Sequence, residues 1–319
     1  MLMQRKQLAW SGFSVDYLFV LIGLAGLFFG GEALVRGSVN IAHRMSIAPL
    51  IIGLTVVGFG TSTPELLVSV QAALRGVPDI AIGNIVGSNI ANILLIVGLT
   101  VLVWPISVGK DSLRRDTAFM IASALLLIPL FAWGEVGRVS GLLLVAGLAA
   151  YLVWTFLKPE QITTDDKDIA APTTVLISLL WVTSGLAALL FGARFLIDGA
   201  VSVARDLGVS EAFIGLTVVA VGTSLPELAT SLIAAFRRQS DIAIGNIVGS
   251  NIFNVLGILG VTAIIAPIPV ASRFLTFDLP IMIAASLVLT GLLLTRPQIG
   301  RRIGALMLLG YAGYVLAAL

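Results

Sequence analysis

The chain is a succession of long apolar stretches, separated by short breaks that contain charged residues, glycine or proline. A membrane-spanning helix needs about 20 predominantly apolar residues. The pattern therefore predicts ten transmembrane helices, at residues 16–42, 47–74, 79–103, 116–133, 138–157, 173–204, 210–236, 241–265, 274–294 and 300–318. The most polar connection, residues 158–172, falls between the fifth and sixth spans and is predicted to be a solvated linker.

The two halves of the chain repeat each other. Residues 53–100 and 215–262 align without gaps at an offset of about 162 residues, and about two-thirds of the aligned positions are identical. Segment 79–90 matches segment 241–252 at every position. Because Pro, Glu, Asp and Asn coincide as well as Leu and Val, chance similarity of apolar sequence is excluded. The predicted units are therefore residues 1–157 and 173–319, each with one copy of the motif.

An odd number of spans in each repeat has a topological consequence. If each unit crosses the membrane five times, the second unit is inverted relative to the first, as in many secondary transporters. Eleven Lys and Arg residues lie in loops on one predicted side and six on the other. The positive-inside rule places the richer side in the cytoplasm. We expect a multi-pass protein of the plasma membrane with both termini outside and linker 158–172 in the cytoplasm.

Composition supports a membrane location and excludes several functions. The chain is 58% hydrophobic and 11% charged, whereas soluble domains carry about 25% charged residues. The fold class is therefore an all-α membrane protein with the lipid bilayer around it. The basic residues are dispersed, so nucleic acid is not expected as a partner. The sequence shows neither a nucleophile–base pair nor a phosphate loop or cofactor motif, so we predict neither an enzyme nor a resident cofactor. An obligate protein partner is not predicted either.

Two acidic residues stand near the middle of predicted spans. Glu65 and Glu227 occupy equivalent positions in the frames GTSTPE and GTSLPE. A carboxylate at membrane depth costs roughly 2.5–3.5 kcal/mol on insertion scales. A structural glutamate, protonated or hydrogen-bonded between helices, is the simpler interpretation for one such residue. The repetition of both residue and frame favours a functional pair.

The residues around each glutamate suggest how a cation could bind. Thr61, Glu65 and Ser69 are spaced four apart and share a helical face, and Thr223, Glu227 and Ser231 repeat the pattern. Proline has no N–H, so Pro64 and Pro226 should leave the carbonyl groups of Gly60 and Gly222 free to face a cavity. The alternative is that each proline only kinks its helix.

The following spans supply a second polar stripe. Its members are spaced four residues apart in each repeat: Asn84, Ser88 and Asn92, then Asn246, Ser250 and Asn254. Asn89 and Asn251 lie beside them. For Asn84, Asn89, Asn246 and Asn251 we favour helix-to-helix hydrogen bonding, whereas Ser88, Asn92, Ser250 and Asn254 are candidate ligands. Asp79 and Asp241 are best explained as N-terminal caps.

The predicted centre contains oxygen ligands only. The chain has no cysteine, and its one histidine, His43, lies at a span end. Carboxylate, amide, hydroxyl and carbonyl oxygens suit a hard cation such as Ca²⁺, with six to eight ligands at about 2.3–2.6 Å. Two glutamates neutralise one Ca²⁺ or two Na⁺. An antiporter requires this kind of competition for one set of ligands.

These motifs resemble the two α-repeats of the sodium/calcium exchanger family, within the cation/calcium antiporter superfamily. The residues that carry the resemblance are GTSTPE with GSNIAN and GTSLPE with GSNIFN. It implies that spans two, three, seven and eight form the ion-binding core, and that spans one and six are long tilted helices that slide to expose it alternately. Some relatives have Asp at the position of Asn254, so the number of Na⁺ ions per cycle and any K⁺ co-transport stay open. The linker is too short for the Ca²⁺-sensing insert of eukaryotic members.

The resemblance also implies a ligand set. Glu65 and Glu227 would bind Ca²⁺, aided by the carbonyl groups of Thr61 and Thr223. Sodium would use the same glutamates. The other sodium ligands would be the side chains of Thr61, Ser62, Ser88, Thr223, Ser224 and Ser250 and the backbone of Gly58 and Ala220. Asn92 and Asn254 would line the middle position.

The predicted function is therefore Na⁺/Ca²⁺ antiport by alternating access. The main alternative is a Ca²⁺/H⁺ antiporter on the same fold, in which the glutamates carry protons. A passive cation channel and a structural or sensory membrane protein are further alternatives.

Spans one and six carry charges and glycines of their own. Glu32 with Arg36, and Arg194 with Asp198, are predicted ion pairs at i,i+4 spacing. Glycines in both spans would permit sliding over the core, although small residues also simply pack: Gly30, Gly31, Gly37, Gly192 and Gly199.

Overall fold

The computed structural model of the chain describes residues 2–107, 110–157, 174–208 and 220–318. Linker 158–172 and the first part of the predicted seventh span, including residues 215–219 of the second motif, lie outside these ranges. Within them the helices are α1 Leu2–Met45, α2 Pro49–Thr61, α3 Thr63–Leu74, α4 Pro78–Val103, α5 Lys110–Ala132, α6 Arg138–Leu157, α7 Val175–Asp206, α8 Ala220–Gly222, α9 Leu225–Phe236, α10 Ser240–Ile265, α11 Phe274–Thr295 and α12 Arg301–Ala318. The strands are β1 Glu135–Val136 and β2 Ile268–Pro269.

Helices occupy the described part of all ten predicted spans, and α1 begins earlier than expected. Seven helices of the described ranges are individually long and apolar enough to cross a membrane, and the bent pair α2–α3 makes eight. The remaining two positions hold the shorter apolar helix α9 and the helix α12. The all-α membrane fold predicted from the apolar pattern is confirmed.

The arrangement of the helices shows that the repeats are inverted. The equivalent helices α1 and α7 run antiparallel, because Gly23 lies against Leu196 at one end and Gly37 against Ser178 at the other. α6 of the first repeat packs on α10 of the second, and α12 packs on α4. Each repeat therefore contributes an outer helix that covers the inner helix of the other.

Short strand pairs tie the two halves together in the same crossed way. Val136 pairs with Ile268 between β1 and β2. Ile106, at the position equivalent to Ile268, forms an isolated antiparallel bridge with Ile299. Because the bonds run between backbone groups, the apolar sequence gave no indication of either pair.

The glycines of the long helices form a seam between those helices. A Cβ atom on Gly26 would lie 2.9 Å from Gly192 Cα, and one on Gly185 would lie 2.6 Å from Leu34 N. Gly30, Gly37 and Gly199 also face the opposite long helix, and only Gly31 of the predicted set faces the core helix α9. The prediction that these glycines form a sliding surface against the core is wrong, apart from Gly31. Close backbone packing joins α1 and α7 to each other.

The predicted ion pairs have different outcomes. Arg194 and Asp198 are 3.9 Å apart, so that pair is confirmed. The Glu32–Arg36 pair is wrong, because Glu32 accepts two bonds from Arg237 at the end of α9, at 2.8 and 2.6 Å. Arg36 lies over the ring of Trp181 instead, 5.4 Å from its centroid. The spacing along one helix could not show that a second helix presents a better-placed guanidinium.

We expect Arg237→Gln to lower the free energy of unfolding by about 1 kcal/mol, because it removes a bidentate pair between α1 and α9. The measurement is thermal unfolding of the purified protein in detergent. Arg194→Gln is the matched control, since its single 3.9 Å contact joins side chains that are 80% and 56% exposed. Equal shifts for the two variants would contradict the assignment.

Candidate ion-binding site

Glu65 and Glu227 lie in the first turns of α3 and α9, directly after breaks in the second and seventh spans. The axis bends by 44° between α2 and α3. The break residues, Ser62 and Ser224, have ψ near +10°, outside the helical range. Each proline stands at the helix start, where its missing N–H costs nothing. The two carboxyl groups therefore lie in the positive field of helix N-termini.

The two glutamates are linked by reciprocal hydrogen bonds between the repeats. Ser62 Oγ donates to Glu227 Oε1 at 2.7 Å, and Ser224 Oγ donates to Glu65 Oε1 at 3.1 Å. Both glutamates are only 1% exposed. The serine before each glutamate thus holds the carboxylate of the other repeat, so the two carboxyl groups meet at one centre.

Asn84 and Asn246 fix the turns that carry the glutamates. The amide of Asn246 donates to Glu227 O at 3.2 Å and to Ser231 Oγ at 2.9 Å. Asn84 makes the same two bonds in the first repeat, to Glu65 O and Ser69 Oγ. These contacts agree with the prediction that the two asparagines join helices.

The hydroxyl groups of the two threonines face the same asparagines. Thr61 Oγ1 contacts Asn246 Oδ1 at 3.1 Å, and Thr223 Oγ1 contacts Asn84 Oδ1 at 3.4 Å. Each asparagine therefore connects a helix of its own repeat with a threonine of the other.

Four asparagines form crossed pairs between the inner helices α4 and α10. Asn92 Nδ2 donates to Asn251 Oδ1 at 3.2 Å, and Asn254 Nδ2 donates to Asn89 Oδ1 at 3.1 Å. Asn89 and Asn251 therefore join the repeats, as predicted. Their own amide groups contact the sulfur atoms of Met282 and Met120, contacts that the sequence did not indicate.

The backbone changes its winding at the same level. Segments Asn92–Ile96 and Phe253–Leu259 are π-helical, and so is Gly53–Val57. Single π-helical turns inside α-helices occur frequently at functional sites. Here one begins at Asn92 and another contains Asn254. No residue pattern in the chain predicted these segments.

The other predicted ligands lie around the same centre. Ser250 Oγ donates to Gly58 O at 3.1 Å, and Ser88 Oγ is 3.4 Å from Ser224 Oγ. Thr61 also donates to its own helix, at Val57 O. Ala220 begins α8, and its side chain lies outside the description. Thus every predicted site residue with a described side chain lies within this network, and Gly58 contributes its carbonyl group.

One predicted carbonyl group is not free. Thr63 Oγ1 donates to Gly60 O at 2.9 Å, so the expectation that Pro64 leaves this carbonyl open to a cavity is wrong. A hydroxyl three residues on replaces the missing N–H. In the second repeat Leu225 stands at the position of Thr63, so this side-chain substitute is not available to Gly222.

The centre holds an excess of unsatisfied oxygen. Among the described side chains, the buried oxygens without a hydrogen-bond partner include Glu65 Oε2, Glu227 Oε2, Asn92 Oδ1 and Asn254 Oδ1. The ion pairs found in the described ranges involve Glu32, Asp116, Asp198 and Asp278, and none reaches Glu65 or Glu227. Buried charges require a partner. This arrangement can bind one or more hard cations.

Comparison with known proteins gives a consistent family. A family model described as sodium/calcium exchanger protein matches residues 15–157 and 177–319. A putative antiporter, CaxA, of Alkalimonas amylolytica is 40% identical over 94% of this chain and 97% of its own. The sodium/calcium exchanger MaX1 of Methanosarcina acetivorans is 32% identical, with 95% and 98% covered.

A solved structure is similar to this chain in both fold and sequence. The sodium-calcium exchanger NCX_Mj, soaked with 2.5 mM Na⁺ and 0.1 mM Ca²⁺, matches with a TM-score of 0.81 and 33% identity, over 95% of this chain and 98% of that one. The Ca²⁺/H⁺ antiporter ChaA of Bacillus subtilis is more distant, at 24% identity over 74% and 73% of the two chains.

Neutralising either buried carboxyl group should stabilise the protein when no cation is present. We expect Glu65→Gln and Glu227→Gln each to raise the thermal unfolding midpoint in Na⁺-free buffer with a Ca²⁺ chelator, because each removes an uncompensated buried charge. Circular dichroism in detergent measures the midpoint. Glu135→Gln, at an exposed residue of β1, should leave it unchanged. Unchanged midpoints for the two site variants would show that the carboxyl groups are already neutral without a cation.

Proposed function

The chain belongs to the sodium/calcium exchanger family, and on that basis we propose that it is a secondary active antiporter that exchanges Na⁺ for Ca²⁺ by alternating access. The family model covers nearly all of the chain, and the exchanger structure matches it over nearly its full length. The fold is accordingly one of ten membrane spans in two inverted repeats. The observation that carries the proposal is the pair of buried glutamates, for which no cationic partner is found among the described side chains.

The negative charge of the two glutamates determines which ions the site can bind. Two carboxylates carry two negative charges, which one Ca²⁺ or two Na⁺ would neutralise. The described residues contain no group of three or more His, Cys, Asp and Glu suited to a metal, so neutral oxygens would complete the coordination shell. Ca²⁺ accepts carboxylate, amide and carbonyl oxygens in flexible geometries. Anionic cargo is disfavoured, since both fixed charges are negative.

We assign the ligands as follows. Glu65 and Glu227 bind Ca²⁺ together, and each also serves Na⁺ when Ca²⁺ has left. Asn92 and Asn254 would line the middle position, and the absence of a described hydrogen-bond partner for their amide oxygens supports this assignment. The remaining oxygen donors are Thr61, Thr223, Ser62, Ser224, Ser88 and Ser250, with the backbone of Gly58 and Ala220. Support comes from the hydrogen bonds that gather these groups around the glutamates.

Alternating access requires a rigid part that moves relative to the site. The glycine seam joins α1 and α7 through close backbone contacts, which suits movement of the two helices as one body. The eight other spans, with the breaks at Ser62 and Ser224, would stay as the frame. The empty, doubly charged site would be costly to reorient, and this cost would couple the two ions.

The Ca²⁺/H⁺ alternative keeps the same carboxyl groups and changes only the counter-ion. ChaA is the relative that supports it, and its identity is lower than that of the exchangers. We further propose that the protein lies in the plasma membrane with both termini outside and linker 158–172 in the cytoplasm. The excess of Lys and Arg on one side supports this orientation.

The decisive test is ion flux in proteoliposomes. An imposed Na⁺ gradient should drive Ca²⁺ uptake at constant pH, and Glu65→Gln or Glu227→Gln should abolish it because the site loses half of its charge. Glu135→Gln should transport normally. Uptake driven by a pH gradient and not by Na⁺ would instead establish the proton-coupled alternative. Flux without any counter-ion would indicate a channel, and retained activity in both glutamine variants would restore a structural role.

The reciprocal serines should tune affinity without being essential for transport. Ser62→Ala removes the 2.7 Å hydrogen bond to Glu227, and a hydrogen bond to a charged group contributes about 1.5–3 kcal/mol. We expect Ca²⁺ affinity, measured by isothermal titration in Na⁺-free buffer, to fall roughly tenfold or more. Ser38→Ala is the control, because Ser38 is fully buried in α1 and its Oγ has no described partner. An equal effect in both variants would contradict the assigned role.

A further inference from the structure

A groove between α5 and α6 has a polar end and an apolar wall. It encloses about 650 Å³ and is lined by Arg114, Arg115, Ala118, Phe119, Ala122 and Trp154. Arg114, Ala118 and Ala122 are spaced four apart on α5, so two small side chains continue the ridge that begins with an arginine. The rings of Phe119 and Trp154 meet edge to face, 5.5 Å apart, and form the facing wall.

The two arginines of the groove differ in their contacts. Arg115 pairs with the buried Asp116 through bonds of 2.9 and 3.2 Å, and Tyr151 OH donates to the same carboxylate. Arg114 is exposed and forms no ion pair with any residue whose side chain is described. Among the groove side chains that the structure describes, Arg115 is paired with Asp116, and Arg114 adds a further positive charge.

The second repeat shows which of these residues the fold requires. It keeps the buried carboxylate and the tyrosine, since Tyr314 OH donates to Asp278 at 2.9 Å, and Arg273 approaches Asp278 to 3.4 Å. The positions of Arg114 and Arg115, however, hold Thr276 and Phe277. The hydroxyl of Thr276 bonds to its own helix, at Ser272 O. The second repeat therefore adopts the same fold without arginines at the positions of Arg114 and Arg115. Packing of the fold does not require Arg114.

Inversion of the repeats places Arg114 and its counterpart Thr276 at opposite faces of the membrane. The arginine-bearing groove lies on the side with more Lys and Arg, where the cytoplasmic leaflet carries anionic lipids. A guanidinium matches a phosphate diester in geometry and charge. An indole such as that of Trp154 favours the headgroup level. The small side chains of Ala118 and Ala122 leave space for a hydrocarbon chain.

We propose that this groove binds one anionic phospholipid, with its phosphate on Arg114 and an acyl chain along Ala118 and Ala122. A zwitterionic lipid fits less well, because its own ammonium group already compensates its phosphate. The proposal is independent of the transport mechanism, since the groove shares no residue with the candidate ion site.

The test uses the full chain purified from vesicles that contain equal amounts of phosphatidylglycerol and phosphatidylcholine. Native mass spectrometry counts the lipids that stay bound. We expect the wild-type protein to retain phosphatidylglycerol in preference to phosphatidylcholine, and Arg114→Gln to reduce that retention several-fold. Arg194→Gln, at an arginine of α7 whose side chain is 80% exposed, controls for the loss of any exposed positive charge.

Two further experiments distinguish a bound phospholipid from free phosphate in the groove. Ala122→Leu keeps the charge but fills the channel, so it should also lower retention, and a Ca²⁺-dependent thermal shift would verify that each variant is folded. Excess inorganic phosphate should not displace the lipid. Equal retention in wild-type protein and Arg114→Gln would overturn the proposal, as would equal retention of both lipids. Displacement by phosphate alone would assign the groove to free phosphate instead.

Discussion

The rest of the structure depends on two carboxylates that are enclosed in the membrane and have no cationic side chain beside them in the described part of the chain. Glu65 and Glu227 are almost completely buried, and such charges are tolerated only when something stabilises them. The protein supplies helix N-termini, one serine hydroxyl for each carboxylate and a surround of amide groups. It leaves one oxygen of each glutamate unsatisfied. Under the proposed function the remaining stabilisation would come from the transported ion, and exchange requires that this ion bind reversibly.

The inverted duplication explains how a short motif builds so complete a site. In each repeat the serine donates a hydrogen bond to the glutamate of the other repeat. Asn92 with Asn251, and Asn254 with Asn89, pair across the repeats in the same way. The outer helices and the strand bridges also join an element of one repeat to an element of the other. One half of the chain therefore lacks ligands, helix cover and edge partners until the other half is present. Mutual completion of this kind is possible because the two motifs carry the same Ser, Glu and Asn residues at equivalent positions.

Much of this could be predicted from the chain, and the exceptions are of two kinds. The apolar stretches predicted the spans, and the spacing of Thr61, Glu65 and Ser69 predicted a shared face. One kind concerned a partner distant in sequence, and the other concerned local backbone geometry. Arg237 outcompeted Arg36 for Glu32 because a bidentate contact between helices is better placed than an i,i+4 contact. The hydroxyl of Thr63 donates a hydrogen bond to the Gly60 carbonyl. The π-helical segments were not predicted because no characteristic residue composition identifies them.

The crossed pairs also bear on biosynthesis. When the first half leaves the ribosome and enters the bilayer, Ser62, Glu65 and Asn92 arrive more than 150 residues before the groups that will satisfy them are translated. During that interval these polar groups must be hydrated or shielded by the insertion machinery, because lipid offers them no hydrogen bonds. The site is therefore among the last parts of the molecule to form. The polar groups of the first repeat lack these hydrogen-bond partners until the eighth span has been inserted.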